Sequence, residues 1–329
     1  MTAPRPNPLA AVYDAANRGT PAEKLAALPP LPRFIDLELT NTCNFRCLMC
    51  PTGTHLQQRK SGFMSRAVFE RLLDQVRGPR IPLRFIRWGE PTLHQRFLEF
   101  LTAAKATGLT CHLNTNGSHL EADLLAALVA LPLDAIKFSF QGVDPRSYRE
   151  MRNTDFFDEL LERIRTLHRL RGTGPAPFIQ VSTTITYETR EQVARFRAQV
   201  APWADQVTVG RTLLSHLEVD RMKCSPAEKQ TILWLQGQES VKKTHKKCPE
   251  IFDKLSVNWD GTVSACCGDY NNQMVVGDLM REDLAAVWHG PAITHYRTLL
   301  AAMRHQELPL CRTCYDYMGL ETPGLQGTE

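Results

Sequence analysis

Eight of the ten cysteines in this 329-residue chain fall into two groups, and their types and spacing point to metal chemistry. The first group reads Cys43-Asn-Phe-Arg-Cys47-Leu-Met-Cys50. A structural zinc ion wants four ligands, so three closely spaced thiolates are an odd set for it. A 4Fe-4S cluster held by three thiolates keeps one iron without a protein ligand, and that iron can bind a substrate or cofactor directly. The second group collects Cys248, Cys266, Cys267, Cys311 and Cys314. Four of them, Cys248, Cys266, Cys311 and Cys314, suit either zinc or an iron–sulfur cluster, and ligand count alone leaves both open. Cys267 is left over: a ligand by slippage, a small buried residue, or a thiol facing the active site. Cys224, beside Lys223, is a weaker candidate for that last role, and lone Cys111 reads as core.

Both groups need a frame. From Arg33 onward, strand-like apolar runs at 34–39, 83–88, 110–114, 135–140, 178–184 and 206–209 alternate with helical patterns. The helical stretches, at 66–76, 97–107, 121–131, 155–170 and 191–200, repeat apolar residues at steps of three and four. Strand–helix alternation implies parallel strands joined by crossover helices, so six units predict an α/β fold built as a partial (β/α)6 TIM-like barrel. In such barrels the chemistry gathers where strands end. Cys43 follows the first strand. The chain then divides into a lead-in at 1–32 with one short helical stretch, a barrel at 33–215, a helical bridge at 216–247 and a small C-terminal domain at 248–329. Within the last, Asp260-Gly261 between two strand-like runs signals a hairpin, because Gly tolerates the positive φ of a tight turn. Two short helices, near 284–288 and 293–303, lead to the last cysteine pair.

Composition narrows the class. With 43% apolar and 22% charged residues the chain reads as globular, and a formal charge of +4 is too mild to argue for nucleic acid as the partner. The sequence has neither a secretory signal pattern nor a membrane-length apolar run, so a cytoplasmic protein with no membrane partner is expected. In a reducing cytoplasm, clustered cysteines read as metal ligands before disulfides. A basic run of Lys242, Lys243, His245, Lys246 and Lys247 reads as a solvated face, with attraction of an anionic substrate or acidic donor as its functional reading.

Cys-x-x-x-Cys-x-x-Cys after the first strand of a partial barrel resembles the radical S-adenosylmethionine (radical SAM) superfamily. The resemblance implies that the open iron is chelated by the cofactor's amino and carboxylate groups. It also implies that electron transfer splits the sulfonium into methionine and a 5′-deoxyadenosyl radical. Further strand ends are similar to the family's. Trp88-Gly89-Glu90-Pro91 stands where the family has Gly-Gly-Glu-Pro, with Trp88 as a departure, and Asn114-Thr-Asn116-Gly117 resembles its Thr-Asn-Gly turn. Ser139-Phe-Gln141-Gly142 and Thr184 close the fourth and fifth strands. By this resemblance Met49, Gly89, Glu90, Pro91, Asn114, Asn116, Ser139, Gln141 and Thr184 are the expected cofactor contacts. Arg211, at the end of the sixth strand, is a candidate clamp for a polar substrate.

Cys-x12-Gly-x4-Cys followed by Cys-x-x-Cys resembles the SPASM/Twitch extension behind such barrels. Nothing cysteine-bearing follows Cys314, which matches the Twitch form with one fully ligated auxiliary 4Fe-4S cluster. The resemblance implies two clusters, an external one-electron donor such as flavodoxin or ferredoxin, and a polar small-molecule substrate. Oxidation of a secondary alcohol of a carbohydrate or aminocyclitol leads, with the auxiliary cluster as electron acceptor. The alternatives are radical epimerisation with Cys267 as hydrogen donor, peptide modification, which the short lead-in disfavours, and a non-catalytic iron–sulfur or zinc protein.

Overall fold

A computed structural model describes residues 5–241, 248, 250–314 and 320–321. The basic run at 242–247 lies outside the described residues. Two short helices, α1 (Ala10–Asn17) and α2 (Pro21–Ala26), stand where one was expected. Thr20 and Glu23 start the second with a reciprocal capping box.

The barrel follows. Its strands are β1 (Phe34–Leu37), β2 (Leu83–Phe85), β3 (Cys111–Thr115), β4 (Ala135–Ser139), β5 (Phe178–Ile185) and β6 (Gln206–Arg211). They lie in chain order, each parallel to the next. Crossovers run through α3 (Arg66–Arg77), α4 (Phe97–Ala106), α5 (Ala122–Ala130), α6 (Pro145–Arg152) with α7 (Phe157–Arg171), and α8 (Arg190–Val200). The pattern in α3 shows why they dock. Ser65 accepts the Val68 N–H and starts the helix, and Val68, Phe69, Leu72 and Val76 then form one buried stripe. The helix α6 was not foreseen, although Asp144 and Ser147 cap it reciprocally around Pro145.

After β6 come α9 (Pro226–Gln238), which fills the bridge, and β7 (Ser240–Val241). The C-terminal part contains α10 (Glu250–Asp253), β8 (Lys254–Val257), β9 (Thr262–Ser264), β10 (Val275–Asp278), α11 (Leu284–Trp288), α12 (Pro291–Ala301) and β11 (Leu320–Glu321), which pairs with β7. The anticipated hairpin is β8–β9, turning at Gly261 with φ of +91°. It gains a third antiparallel strand, β10, and it is no separate sheet. Strand β8 runs parallel to β1, with Phe34 opposite Lys254, so one nine-stranded sheet spans both parts.

That junction is electrostatic inside the barrel. Asp36 of β1 is fully buried between Arg84 of β2 at 2.7 Å and Lys254 of β8 at 2.9 Å. Burial alone would raise its carboxyl, yet Arg84 and Lys254 hold it below the usual value. The lead-in is tied to the same part: Trp288 Nε1 donates to the Pro29 carbonyl at 2.8 Å, and Lys24 pairs with buried Asp253. The Arg297 guanidinium lies 3.9 Å from the Trp288 ring centre.

Candidate active site and auxiliary metal centre

The first cysteine loop is cradled by backbone that leaves no room for a side chain. A Cβ on Gly53 would sit 2.4 Å from the Cys47 carbonyl oxygen, so only glycine lets the loop fold back so closely. The loop is pinned to α6 through Leu48 N–H donating to the Met151 carbonyl at 2.8 Å. Each of two sulfurs then receives donors. Cys43 Sγ faces the Phe45 N–H at 3.5 Å and Asn116 Nδ2 at 3.8 Å, and Cys47 Sγ faces Arg152 Nη1 at 3.5 Å. Burial pushes the Cys43 thiol up to about 12 and raises Cys50 as well. Thiols so buried give up their protons only to a strong positive charge such as bound iron, while donors aimed at sulfur favour the thiolate. The donor set therefore fits an iron–sulfur cluster, with Cys43, Cys47 and Cys50 as the residues that would hold it.

The Trp88-Gly89-Glu90-Pro91 turn packs directly on this loop. A Cβ on Gly89 would meet the carbonyl oxygens of Thr40 at 2.2 Å and Thr42 at 2.6 Å. Trp88 tolerates the neighbouring position because its ring leaves the turn and meets Tyr270 of the C-terminal part, edge on at 5.6 Å. Pro91 opens a short 3-10 turn capped by Glu90. Glu90 itself is buried, and its carboxylate accepts from Thr92 Oγ1 at 2.7 Å, Thr115 Oγ1 at 2.8 Å and the Asn116 N–H at 2.7 Å. These protein donors make it a tie between the ends of β2 and β3. Asn116 continues the tie through its Nδ2 to Asn44 Oδ1 at 3.0 Å.

The next strand ends face the barrel interior. Asn114 Nδ2 donates to Ser139 Oγ at 3.3 Å, while its buried Oδ1 has no hydrogen-bond partner among the described residues. A buried amide oxygen left alone is costly, so this atom invites a ligand hydroxyl or amine. Gln141, Thr184 and Thr212 close a triangle of hydrogen bonds of 2.5 to 3.1 Å. Gln141 spends its amide there, and Thr184 and Thr212 face a cavity of about 670 Å³.

That cavity is lined by Met49 and Trp88, beside the first cysteine loop, by Arg211 and His216, and by Cys248, Cys266, Cys311 and Cys314 of the second group. Burial pushes the His216 imidazole below its ordinary value. Tetrahedral zinc with bonds of about 2.3 Å would draw its sulfurs to about 4 Å from one another. Among the described residues no three cysteines have sulfurs within 4.8 Å of one another.

Cys267 goes elsewhere. It does not line this cavity; its sulfur lies within 4.8 Å of carboxylate oxygens of Asp36 and Glu250. The Lys254 ammonium already bridges those two carboxylates, at 2.9 and 2.5 Å. The Cys266 hydrogen bond and burial both keep the Cys267 thiol protonated, well above its ordinary value.

Sequence reasoning missed Arg152, the buried cation beside Cys47 that also donates to the Ser139 carbonyl. Burial opposes its charge, but the Cys47 sulfur holds the guanidinium above its ordinary value. The capped start of α6 was a readable signal; the helix length that brings Arg152 to the loop was not.

Residues 37–199 match the Radical SAM superfamily, and residues 248–315 match the SPASM iron–sulfur cluster-binding domain. A curated relative is the tungsten-containing aldehyde ferredoxin oxidoreductase cofactor-modifying protein of Pyrococcus furiosus. It is 23% identical over 323 residues, covering 86% of this chain and 87% of that one. The fold resembles BtrN in complex with AdoMet and 2-DOIA, with a TM-score of 0.54 at 16% identity over 91% of this chain and 96% of BtrN. It also resembles SuiB of Streptococcus suis bound to precursor peptide SuiA, with a TM-score of 0.64 at 14% identity over 92% and 74%. No helix among the described residues is long and apolar enough to cross a membrane. S-adenosylmethionine, a 4Fe-4S cluster and an auxiliary iron–sulfur cluster follow from the two matched domains. The chain belongs to the radical SAM superfamily and carries a SPASM-type auxiliary cluster domain.

Proposed function

We propose that this radical SAM enzyme oxidises a secondary alcohol of a polar small molecule, of the carbohydrate or aminocyclitol class. One observation carries the reading: one cavity is lined both by Met49 and Trp88, beside the loop we assign to radical initiation, and by Cys248, Cys266, Cys311 and Cys314. A substrate held there lies between the place where its hydrogen is removed and a centre able to take its electron. When bound, the cofactor supplies a 5′-deoxyadenosyl radical, at the expense of one electron from an external donor.

The chain's own residues then have distinct tasks. Cys43, Cys47 and Cys50 would hold the first cluster, and Arg152, the buried cation beside Cys47, would pair with the cofactor's carboxylate. Asn114 and Ser139 offer polar atoms to its sugar. Arg211, Thr184 and Thr212 orient substrate hydroxyls across the cavity. Removal of hydrogen from a carbinol carbon leaves a radical whose hydroxyl proton must pass to a cavity base, and Cys248, Cys266, Cys311 and Cys314 would hold a centre able to accept its electron. His216, kept neutral by burial, is the base we assign. The fold likeness to BtrN, a radical SAM dehydrogenase, supports this choice.

Epimerisation requires a thiol to return hydrogen, and Cys267 lies off the cavity wall, which removes its main support. Peptide modification keeps support from the fold likeness to SuiB. Anaerobic reconstitution decides between them. About eight irons per chain, with 5′-deoxyadenosine and a new carbonyl formed from an aminocyclitol or sugar panel, is the expected result. Turnover of a precursor peptide, with the small-molecule panel inert, overturns it.

A further inference from the structure

Glu38 lies between the end of β1 and the first cysteine loop, and its carboxylate is fully buried. Arg59, leaving that loop, grips both oxygens at 2.8 and 2.7 Å, and Arg87, just before the Trp88 turn, approaches at 3.5 Å. Neither arginine ends its reach there. Arg87 Nη1 donates to the carbonyl of Cys266 at 3.2 Å and Nη2 to that of Asp269 at 2.8 Å, while Arg59 Nε donates to that of Tyr270 at 2.9 Å. Gln58 N–H adds a bond to Asn271 Oδ1 at 2.7 Å. Asp269, whose carbonyl Arg87 reaches, spends its carboxylate on the backbone N–H groups of Gln273 and Met274, and the buried Asp36 carboxylate also feels the Arg87 charge. One buried carboxylate thus gathers both flanks of the first cysteine loop and passes two guanidiniums to the backbone that presents Cys266.

We propose that Arg87 is a positioning residue for the auxiliary cluster. It fixes the Cys266 loop against the barrel, and its charge sets how readily that cluster accepts an electron. The inference rests on the auxiliary cluster being held by Cys266. Its physical basis is that one-electron reduction adds a negative charge to the cluster, and a buried guanidinium on the ligand's own carbonyl stabilises the added charge. Arg87's side chain is wholly excluded from water, so solvent does not screen the effect. Glu38 acts in the opposite sense.

The charge account makes signed predictions that simple loosening of the loop does not. The experiment is an EPR-monitored redox titration of the full-length holoenzyme. The signal that changes on adding S-adenosylmethionine marks the first cluster and leaves the other to the auxiliary one. At a fixed poised potential, Arg87→Gln is expected to lower the reduced-to-oxidised ratio of the auxiliary cluster about three- to tenfold, tenfold being 59 mV for one electron. Glu38→Gln is expected to raise it. The double variant Glu38→Gln/Arg87→Gln returns toward the parent, and Arg87→Lys stays near it. If Arg87→Gln does not retain iron, the upward shift in Glu38→Gln carries the test. Equal potentials in every variant, or shifts of one sign in all of them, overturn the proposal. A parent with only one reducible centre overturns the auxiliary assignment as well, so the two failures are told apart.

Discussion

The two cysteine groups, which we propose as the ligands of the two clusters, would solve the same chemical problem by opposite routes. The first packs its ligands into eight consecutive residues, Cys43 to Cys50, and the chain around them adapts: Gly53 makes room, Asn116 and Arg152 supply donors. The second draws Cys248, Cys266, Cys311 and Cys314 from across sixty-seven residues, and needs a strand hairpin, two helices and the Glu38 knot to bring them together. A local site tolerates change in distant structure and depends on a few close contacts. A dispersed site depends on the fold as a whole. The difference is one of where the information sits.

The sharpest way to break the comparison is to remove one ligand from each group. Cys47→Ala is expected to abolish 5′-deoxyadenosine formation, by about 10³-fold or more, while about four irons per chain remain. Cys266→Ala is expected to keep cofactor cleavage and lose the oxidised product. Iron content and chromatography of both products check the pair, and equal behaviour of the two variants would erase the division of labour.

A smaller effect is expected at the turn beside the first loop. Gly89→Ala drives a methyl into the Thr40 and Thr42 carbonyls, which costs about 1–3 kcal/mol of stability and misplaces Glu90. Cofactor cleavage should fall about 10²-fold, whereas Trp88→Phe, which keeps the ring contact with Tyr270, should stay within about threefold. Stopped assays under reductant measure both. Next comes Arg152→Met, which keeps the packing on Tyr148 but removes the charge beside Cys47. Equilibrium binding of S-adenosylmethionine should weaken about tenfold. Unchanged affinity would assign Arg152 to holding the loop alone.

The smallest predicted effect concerns pH and lies in neither group. Burial, with Arg84 and Lys137 nearby, pushes His112 down to about 3. The unfolded chain binds a proton at this residue near pH 6.5 and the folded chain does not, so its contribution is present above that value. Stability is therefore lost as pH falls from about 6.5 toward 3. His112→Asn should flatten that acid limb in denaturant titrations, with little change at pH 8.

How much of this was readable follows from the same contrast. The six barrel strands and five of the crossover helices were legible as short apolar runs and as apolar residues recurring at steps of three and four. The first loop was visible because its ligands are neighbours in the chain. Arg152 was not, since what matters about it is which helix end faces the loop. Glu90 was foreseen, but its partners Thr92, Thr115 and Asn116 give it a tying role that no spacing reveals. The Asp260-Gly261 turn signalled β8 and β9, yet their union with β1 did not, because parallel pairing between strands more than two hundred residues apart leaves no local mark. The same distance hid the knot at Glu38. The position of Cys267 also turned on the fold: its sulfur is hydrogen-bonded to that of Cys266, lies beside Asp36 and Glu250, and does not line the cavity.

The strand pair β1–β8 has a consequence for how this protein can be taken apart. A barrel cut free of its C-terminal part would expose the whole hydrogen-bonding edge of β1, an apolar row ready to pair with another molecule. It would also strand Asp36 without Lys254, and Arg33 and Lys24 without Asp253. Such a fragment should aggregate on expression, so the molecule must be engineered as one piece.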